Sequence, residues 1–315
     1  MVKMAMKRCL FTIILLISMI TPIVVSVQSS AIMIAAIMSS DLPRYREAHR
    51  AFVKLIAAHG YKSPSTEINL QTSHADPLSR TAEIRKLISS RPDLIVTYGS
   101  PASLTAVREA EGIPVISVDT FATDQPTKGV CGVSSRVSMS TLLNTLQSIH
   151  PCRRIAVLFT PGESVSQQQL DDVKKFAAKI GITVLEGSVS SATALDTELN
   201  KLLATCEAVV VTDGELLSRQ FKHIIAKSKA RNIPVASTMP DSAEKGAVVS
   251  IEINPQEQGY LAAEMAVRIL EGAKTEFLPL AQPHRIDLVI NVRQAREIGI
   301  TVPASVLRSA SRLIK

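Results

Sequence analysis

The feature that most constrains this chain is one pattern written twice: short apolar runs alternating with amphipathic stretches of helical period, in the same order each time. Residues 32–38 read IMIAAIM, an apolar run without polar alternation, which predicts a strand buried on both faces. Residues 42–59 follow as a helix, with Ala48, Phe52, Leu55 and Ile56 on one face and Gly60 as its stop. A strand at 67–71, a helix at 79–90, a strand at 94–98, a helix at 101–111 ended by Gly112 and a strand at 114–118 complete the first unit. The second unit repeats the order: strand 155–159, helix 165–180, strand 182–186, helix 194–204, strand 208–212, helix 216–230 and strand 234–237. Alternation of this kind builds a parallel sheet with helices on both faces.

The two units also share words. Val96-Thr97-Tyr98-Gly99 answers Val211-Thr212-Asp213-Gly214, and Ile113-Pro114-Val115-Ile116-Ser117 answers Ile233-Pro234-Val235-Ala236-Ser237. The expected fold is therefore α/β, with two Rossmann-like lobes of parallel strands joined by crossing hinge strands. Residues 129–134 form the first crossing and residues 248–253 the return, and residues 287–290 supply a third crossing or an edge strand. Asn254, Pro255 and Glu257 open a well-capped helix that Gly272 stops, and its stripe of Ala262, Met265, Ala266 and Ile269 packs on the first lobe. This assigns residues 32–131 and 255–282 to lobe 1, and residues 132–254 and 283–315 to lobe 2. Several crossings make a hinge, because a few linker residues absorb lobe closure while both cores stay rigid.

Residues 1–31 read as an export signal. Lys3, Lys7 and Arg8 precede an apolar run from residue 10 to 25 broken only by Pro22, and Ser29 and Ala31 suit a cleavage site. A retained membrane anchor is the alternative, since the run nearly reaches spanning length. Cys9 precedes the run and is not a lipoprotein cysteine. Removing three basic residues of the 35 leaves 32 against 28 acidic ones, a formal charge of +4. That charge is small and spread along the chain, which argues against a nucleic-acid partner. Of the remaining cysteines, Cys152 and Cys206 precede strands that would be neighbours, so a disulfide between them is one expectation and two small core residues the other. No Cys/His spacing of a metal site is present, and no cofactor motif.

Several segments resemble the ABC transporter substrate-binding family that includes the tryptophan/tyrosine-type binding proteins. The resemblance rests on Pro161-Gly162-Glu163-Ser164, Thr212-Asp213-Gly214, Ile233-Pro234-Val235, the run from Gly259 to Gly272, and the tail from Leu288-Val289-Ile290-Asn291 to Val302-Pro303. It implies a type I periplasmic-binding fold, an amino-acid-like ligand, and a membrane permease with its ATPase as partners. Where the family carries a histidine-proline pair after the first strand, this chain has Ser39-Ser40-Asp41-Leu42-Pro43. Asp124, Pro126, Gly129 and Gly132 are what remains of its glycine-rich segment after the fourth strand. Fold thus transfers better than ligand identity.

In open parallel sheets, ligands bind beyond the carboxyl ends of the strands, where helix N-termini present unpaired N–H groups. Those ends fall at Ser39-Ser40-Asp41, Tyr98-Gly99-Ser100 and Asp119-Thr120-Phe121 in the first unit. In the second they fall at Gly162-Glu163-Ser164, Asp213-Gly214-Glu215 and residues 239–241. Ser100 and Ser164 are candidates for a ligand carboxylate, and Asp213, or Asp119 or Glu163, for its amine. Tyr45, Tyr98, Phe121 and Phe159 stand at or near strand ends and are candidates to stack on a side chain. The competing readings are ordinary helix caps for the serines and aspartates, core packing for the aromatics, turn requirements for Gly99, Gly162 and Gly214, and a cap of the first helix for Asp41. There is no nucleophile elbow, Walker loop or dinucleotide fingerprint, and the six histidines are scattered. The expectation is the periplasmic solute-binding component of an importer, not an enzyme. The alternative is a periplasmic sensing module that docks on a membrane kinase or cyclase, and an enzyme on the same scaffold is less favoured.

Overall fold

The computed structural model describes residues 31–120 and 131–315. Residues 1–30 of the expected export signal, and the candidate Phe121 with Asp124, Pro126 and Gly129, lie outside the described residues. No helix among the described residues is long and apolar enough to cross a membrane.

The first sheet takes its strands in the order β11-β5-β4-β3-β1-β2. These are β1 (Ile32–Met38), β2 (Thr66–Thr72), β3 (Leu94–Tyr98), β4 (Val115–Thr120), β5 (Cys131–Ser134) and β11 (Leu280–Ala281). Helix α1 (Pro43–Ala58) follows β1, α2 (Pro77–Ser89) follows β2, and α3 (Ser100–Glu109) follows β3. The second sheet runs β13-β12-β10-β9-β8-β6-β7. Its strands are β6 (Arg154–Phe159), β7 (Thr183–Ser188), β8 (Ala208–Val211), β9 (Val235–Ser237), β10 (Val249–Ile253), β12 (Ile286–Asn291) and β13 (Arg312–Ile314). Helix α4 (Met139–Ile149) leads into β6, and α5 (Ser164–Lys179), α6 (Ala192–Leu202) and α7 (Glu215–Lys229) follow β6, β7 and β8. Helix α8 (Pro255–Leu270) belongs with the first sheet; the short α9 (Val292–Glu297) and α10 (Ala304–Ser309) belong with the second.

Alternate residues of each strand feed opposite cores, as a pleated strand requires. Ile34, Ala36 and Met38 of β1 pack against α1 and α8, while Ala35 and Ile37 pack against α2 and α3. In the second sheet Ile155, Val157 and Phe159 face α4 and α5, and Ala156 and Leu158 face α6 and α7. The small residues of α1 and α8 let these helices touch closely: a Cβ on Gly259 would overlap the carbonyl of Ala48. Asn254 caps α8 by accepting from the Gln256 amide at 2.8 Å, as its sequence predicts.

Several sequence expectations shift. Strand β5 pairs with β4 in the first sheet, so residues 132–134 belong with lobe 1 rather than opening lobe 2. The chain crosses between sheets after β5, after β10 and after β11. Strand β12 is neither a crossing nor an edge: it lies inside the second sheet, antiparallel to β10 and parallel to β13. Among the described residues that pair is the antiparallel exception in sheets whose other pairings are parallel. Leu42, not Asp41, is the N-cap of α1, and no side chain caps it.

Cys131, Cys152 and Cys206 are free, buried thiols, so the expected Cys152–Cys206 disulfide is not formed. The physical reason is that both lie just before their strands, which begin at Arg154 and Ala208, and turn into different cores. Cys152 packs into the core on the α4–α5 face and Cys206 into the core on the α6–α7 face, which sends the side chains to opposite sides of the sheet.

One of the two shared words is out of phase. The Ile95 amide bonds the Pro114 carbonyl and the Val209 amide bonds the Pro234 carbonyl, each at 2.9 Å, which makes Ile95 equivalent to Val209. Val96 then matches Val210 and Gly99 matches Asp213. The tetrapeptide match instead aligned Val96 with Val211, whose side chains enter cores on opposite faces. A slip of one residue in a strand exchanges its faces. The second word is in phase, with Val115 and Val235 on one face and Ile116 and Ala236 on the other.

Candidate functional site: a charged cavity between the lobes

The carboxyl ends of both sheets face one cavity of about 350 Å³, lined by residues of both lobes. Ser39, Tyr45, Ser100 and Asp119 reach it from the first lobe; Gly162, Glu163, Ser164, Asp213 and Gly214 reach it from the second. Other candidates do not line it. Tyr98 is fully buried in the first core, its ring edge-on to His49 at 5.4 Å, and its hydroxyl lies 3.0 Å from His49 Nδ1. Phe159 packs into the second core. Ser40 is buried away from the lining, and its hydroxyl has no hydrogen-bond partner. Gly99 sits just behind the wall with φ +90°, where a Cβ would lie 2.5 Å from the Tyr45 hydroxyl.

The centre of the cavity is a residue the sequence reading passed over. Arg44, in the first turn of α1, has a side chain only 10% exposed. Its Nε lies 3.0 Å from Asp119 Oδ2, its Nη1 lies 2.8 Å from Asp213 Oδ1, and its Nη2 donates to the Tyr45 hydroxyl at 3.2 Å. Asp119 comes from the first lobe and Asp213 from the second, so one guanidinium ties the lobes together. The ion pairs are close but poorly aligned, and neither Arg44 Nε nor Asp213 Oδ1 makes a hydrogen bond. Buried groups in that condition are unusual and call for a physical account.

Both aspartates are held from behind, Asp119 by its carboxylate and Asp213 by its backbone amide. Asp119 ends β4 in a left-handed conformation, φ +55°, where the β4–β5 register shifts. Gln258 of α8 donates to Asp119 Oδ1 at 3.2 Å and to the Ser134 carbonyl at 3.3 Å. Gln169 of α5 accepts the Asp213 amide at 2.7 Å and lies 3.3 Å from the Thr238 hydroxyl.

Burial shapes the charges. It pushes the Asp119 carboxyl up, and the like charge of Asp213 adds to this against the opposing pull of Arg44. Burial alone would lower the Arg44 guanidinium, but Asp213, Tyr45 and Asp119 outweigh it and hold it well above its ordinary value. Glu163 is pushed up by burial first and then by Asp213 and Glu215, although the Glu215 amide bound to it pulls the other way.

The same side chains also build the walls. Ser39 Oγ accepts from the Ala102 amide at 3.0 Å and donates to the Gly99 carbonyl at 3.1 Å, so it caps α3 from the end of β1. Glu163 Oε2 accepts from the Glu215 amide at 2.9 Å and caps α7, whose N-cap Gly214 has no side chain to do so. Ser100 Oγ lies 3.4 Å from Thr120 Oγ1, and Ser164 opens α5 exposed to the cavity. At the rim, Asp41 pairs with Arg219 of α7 at 2.7 Å, a second ion pair between the lobes.

One sequence signal would have found Arg44. A cation in the first turn of a helix opposes the helix dipole, so its position is unfavourable unless carboxylates compensate. Arg80, four residues past the α2 cap Asp76, has the same anomaly and also lines the cavity.

Two α/β lobes joined by three crossings around a polar cavity make the type I periplasmic-binding fold, and solved structures share it. A Streptococcus pneumoniae ABC domain in complex with L-Trp has a TM-score of 0.84 at 23% identity, covering 90% of this chain and all of that one. A conserved domain protein from Vibrio cholerae likewise has a TM-score of 0.84, at 21% identity and the same coverage. The tyrosine-binding protein of Clostridioides difficile is 23% identical over 262 residues, 79% of this chain and 75% of the relative. Residues 31–314 match the ABC transporter substrate binding protein family, and the chain belongs to it. It is a binding protein and not an enzyme, as its family is.

Proposed function

We propose that this protein is the extracytoplasmic receptor of an ABC-type importer and binds an amino acid between its lobes. The observation that supports this reading is the Arg44–Asp119–Asp213 cluster, which sets poorly satisfied charges from both lobes on the wall of one cavity. An ammonium group supplies the aligned donors that Asp213 Oδ1 lacks, and the helix starts at Ser100 and Ser164 present N–H groups toward a carboxylate. The relatives named for tyrosine and found with L-Trp favour an amino acid over a sugar. Delivery to a membrane permease and its ATPase, and export to the periplasm by residues 1–31, complete the proposal.

Thermal unfolding of the purified protein with each L-amino acid tests it. Binding to the folded state alone raises Tm as ligand exceeds Kd, and the expected result is a saturable rise with at least one amino acid. A protein whose Tm none of them moves is not an amino-acid receptor.

A further inference from the structure

The cavity's charge balance is narrower than that of a general amino-acid site. Four lining side chains are carboxylates, Asp119, Glu163, Asp213 and Glu215, against two arginines, Arg44 and Arg80. Arg219, just outside, engages Glu215 through Nε and Nη2 at 3.3 and 3.0 Å and shares itself with Asp41. With that pair counted, the described wall still has a formal excess of one carboxylate over its arginines. The deficit shows in the geometry. Asp213 is 8% exposed, yet its Oδ1 receives no aligned hydrogen bond. Glu163 spends one oxygen on the α7 cap.

The apolar provision is equally specific. The aromatic side chain on the described wall is Tyr45, and it is 5% exposed with the Arg44 guanidinium 4.9 Å from its ring centroid. That ring has no free face to offer an indole or a phenol, while Tyr98 and Phe159 are spent in the cores. What lines the remaining surface is aliphatic: Pro77, Pro101, Leu104 and Val165. A flexible methylene chain suits such a surface better than a flat ring. For a ligand carboxylate the cation on the wall outside the Arg44 cluster is Arg80, whose Nε is buried without a hydrogen-bond partner while its Nη2 is anchored on the Ala75 carbonyl at 2.7 Å.

We infer that the ligand is a dibasic α-amino acid, one carboxylate and two cationic groups on an aliphatic stem, because the described residues of this cavity leave a formal excess of one carboxylate and offer no open aromatic face among them. This deepens the amino-acid reading above and rests on it. Asp119 and Asp213 receive one cation, Glu163 the other, and Arg80 the carboxylate.

Calorimetric titration of the purified protein with matched pairs tests the charge itself: L-arginine against L-citrulline, and L-lysine against L-norleucine. In each pair the stem is kept and the side-chain charge removed. The expected result is that one of the charged members binds at least about tenfold tighter than its neutral partner, the size of one charge-assisted contact. Glu163→Gln, with its amide oxygen still able to cap α7, should bring that ratio toward one while circular dichroism stays unchanged. Equal affinity within both pairs, or tighter binding of L-tryptophan or L-tyrosine, overturns the inference and leaves the amino-acid reading standing. Failure of every amino acid to bind overturns both.

Discussion

The two lobes repeat the same strand order but solve the problem of the strand end differently. At the end of β3 the first lobe has Gly99; at the equivalent place after β8 the second lobe has Asp213. The glycine admits the Tyr45 hydroxyl into space that a Cβ would fill, which seats α1 tightly against the strand ends. The aspartate instead sends a carboxylate across the cleft to Arg44, the neighbour of that tyrosine. One lobe thus builds a packed wall, and the other presents a charge to it. The caps follow the same division. The first lobe uses a short serine hydroxyl, Ser39, buried and bonded on both sides. The second uses the long side chain of Glu163, which keeps an oxygen for the cavity. The shared strand order supplies two facing walls, and the differences at a few strand ends give the cleft its charge.

The largest effect should come from breaking the tie between the lobes. Arg44→Leu leaves Asp119 and Asp213 buried without a cation and is expected to cost about 3–5 kcal/mol in urea unfolding. Adding Asp213→Asn should recover part of that loss, and a single variant as stable as the parent would show that the tie carries no weight.

Gly99 and Gly214 give the next contrast. Gly99→Ala meets Tyr45 and Ser39 at 2.5 to 2.8 Å in a left-handed backbone, and about 2–4 kcal/mol of destabilisation is expected. Gly214 has extended backbone, φ −176°, and its added Cβ meets the movable Glu163 carboxylate. Gly214→Ala should cost about 1 kcal/mol or less, through a displaced cap. Similar losses at both sites would contradict the division between packed wall and charged wall.

Acid should separate the lobes more gently. Burial lowers His49 from its ordinary value to about 4, and its Nδ1 lies 3.0 Å from the Tyr98 hydroxyl. The folded state therefore binds this proton less readily than the unfolded chain does. Stability from this residue is complete above the ordinary histidine range and is lost as pH falls from about 6.5 toward 4. The slope cannot exceed about 1.4 kcal/mol per pH unit and is reduced by the water that reaches the ring. In the second lobe Thr212, at the place of Tyr98, pairs instead with Ser166 and the Leu158 carbonyl, which do not titrate. His49→Gln should flatten the stability profile between pH 4 and 6.5; an unchanged slope would place the proton elsewhere.

The smallest effect belongs to the rim. Asp41 and Arg219 are both about half exposed, so Asp41→Asn should change stability by about 0.5 kcal/mol or less. Because the pair spans the cleft, the same variant should still shift small-angle scattering toward a more open form at low salt. No change in scattering would make the contact an ornament of the surface.

Much of this was legible in the chain. The alternation of apolar runs and helical faces determined two parallel α/β lobes, because strand burial and helix amphipathicity have periods that sequence displays directly. Strand ends followed from the same pattern, and with them Ser39, Tyr45, Ser100, Asp119, Gly162, Glu163, Ser164, Asp213 and Gly214 on the cavity wall. Periodicity also misled where parity mattered. The matched tetrapeptides hid a one-residue slip, and the paired cysteines turned out to face opposite cores. Tertiary structure alone decided which strand-end groups meet: that Tyr98 and Phe159 turn inward, that Arg44 lies between carboxylates from two lobes, and that Arg80 keeps a buried nitrogen unpaired. Local pattern records which face a residue takes on its own element. Pairing across a cleft depends on how two sheets are set against each other, and no period of the sequence encodes that distance.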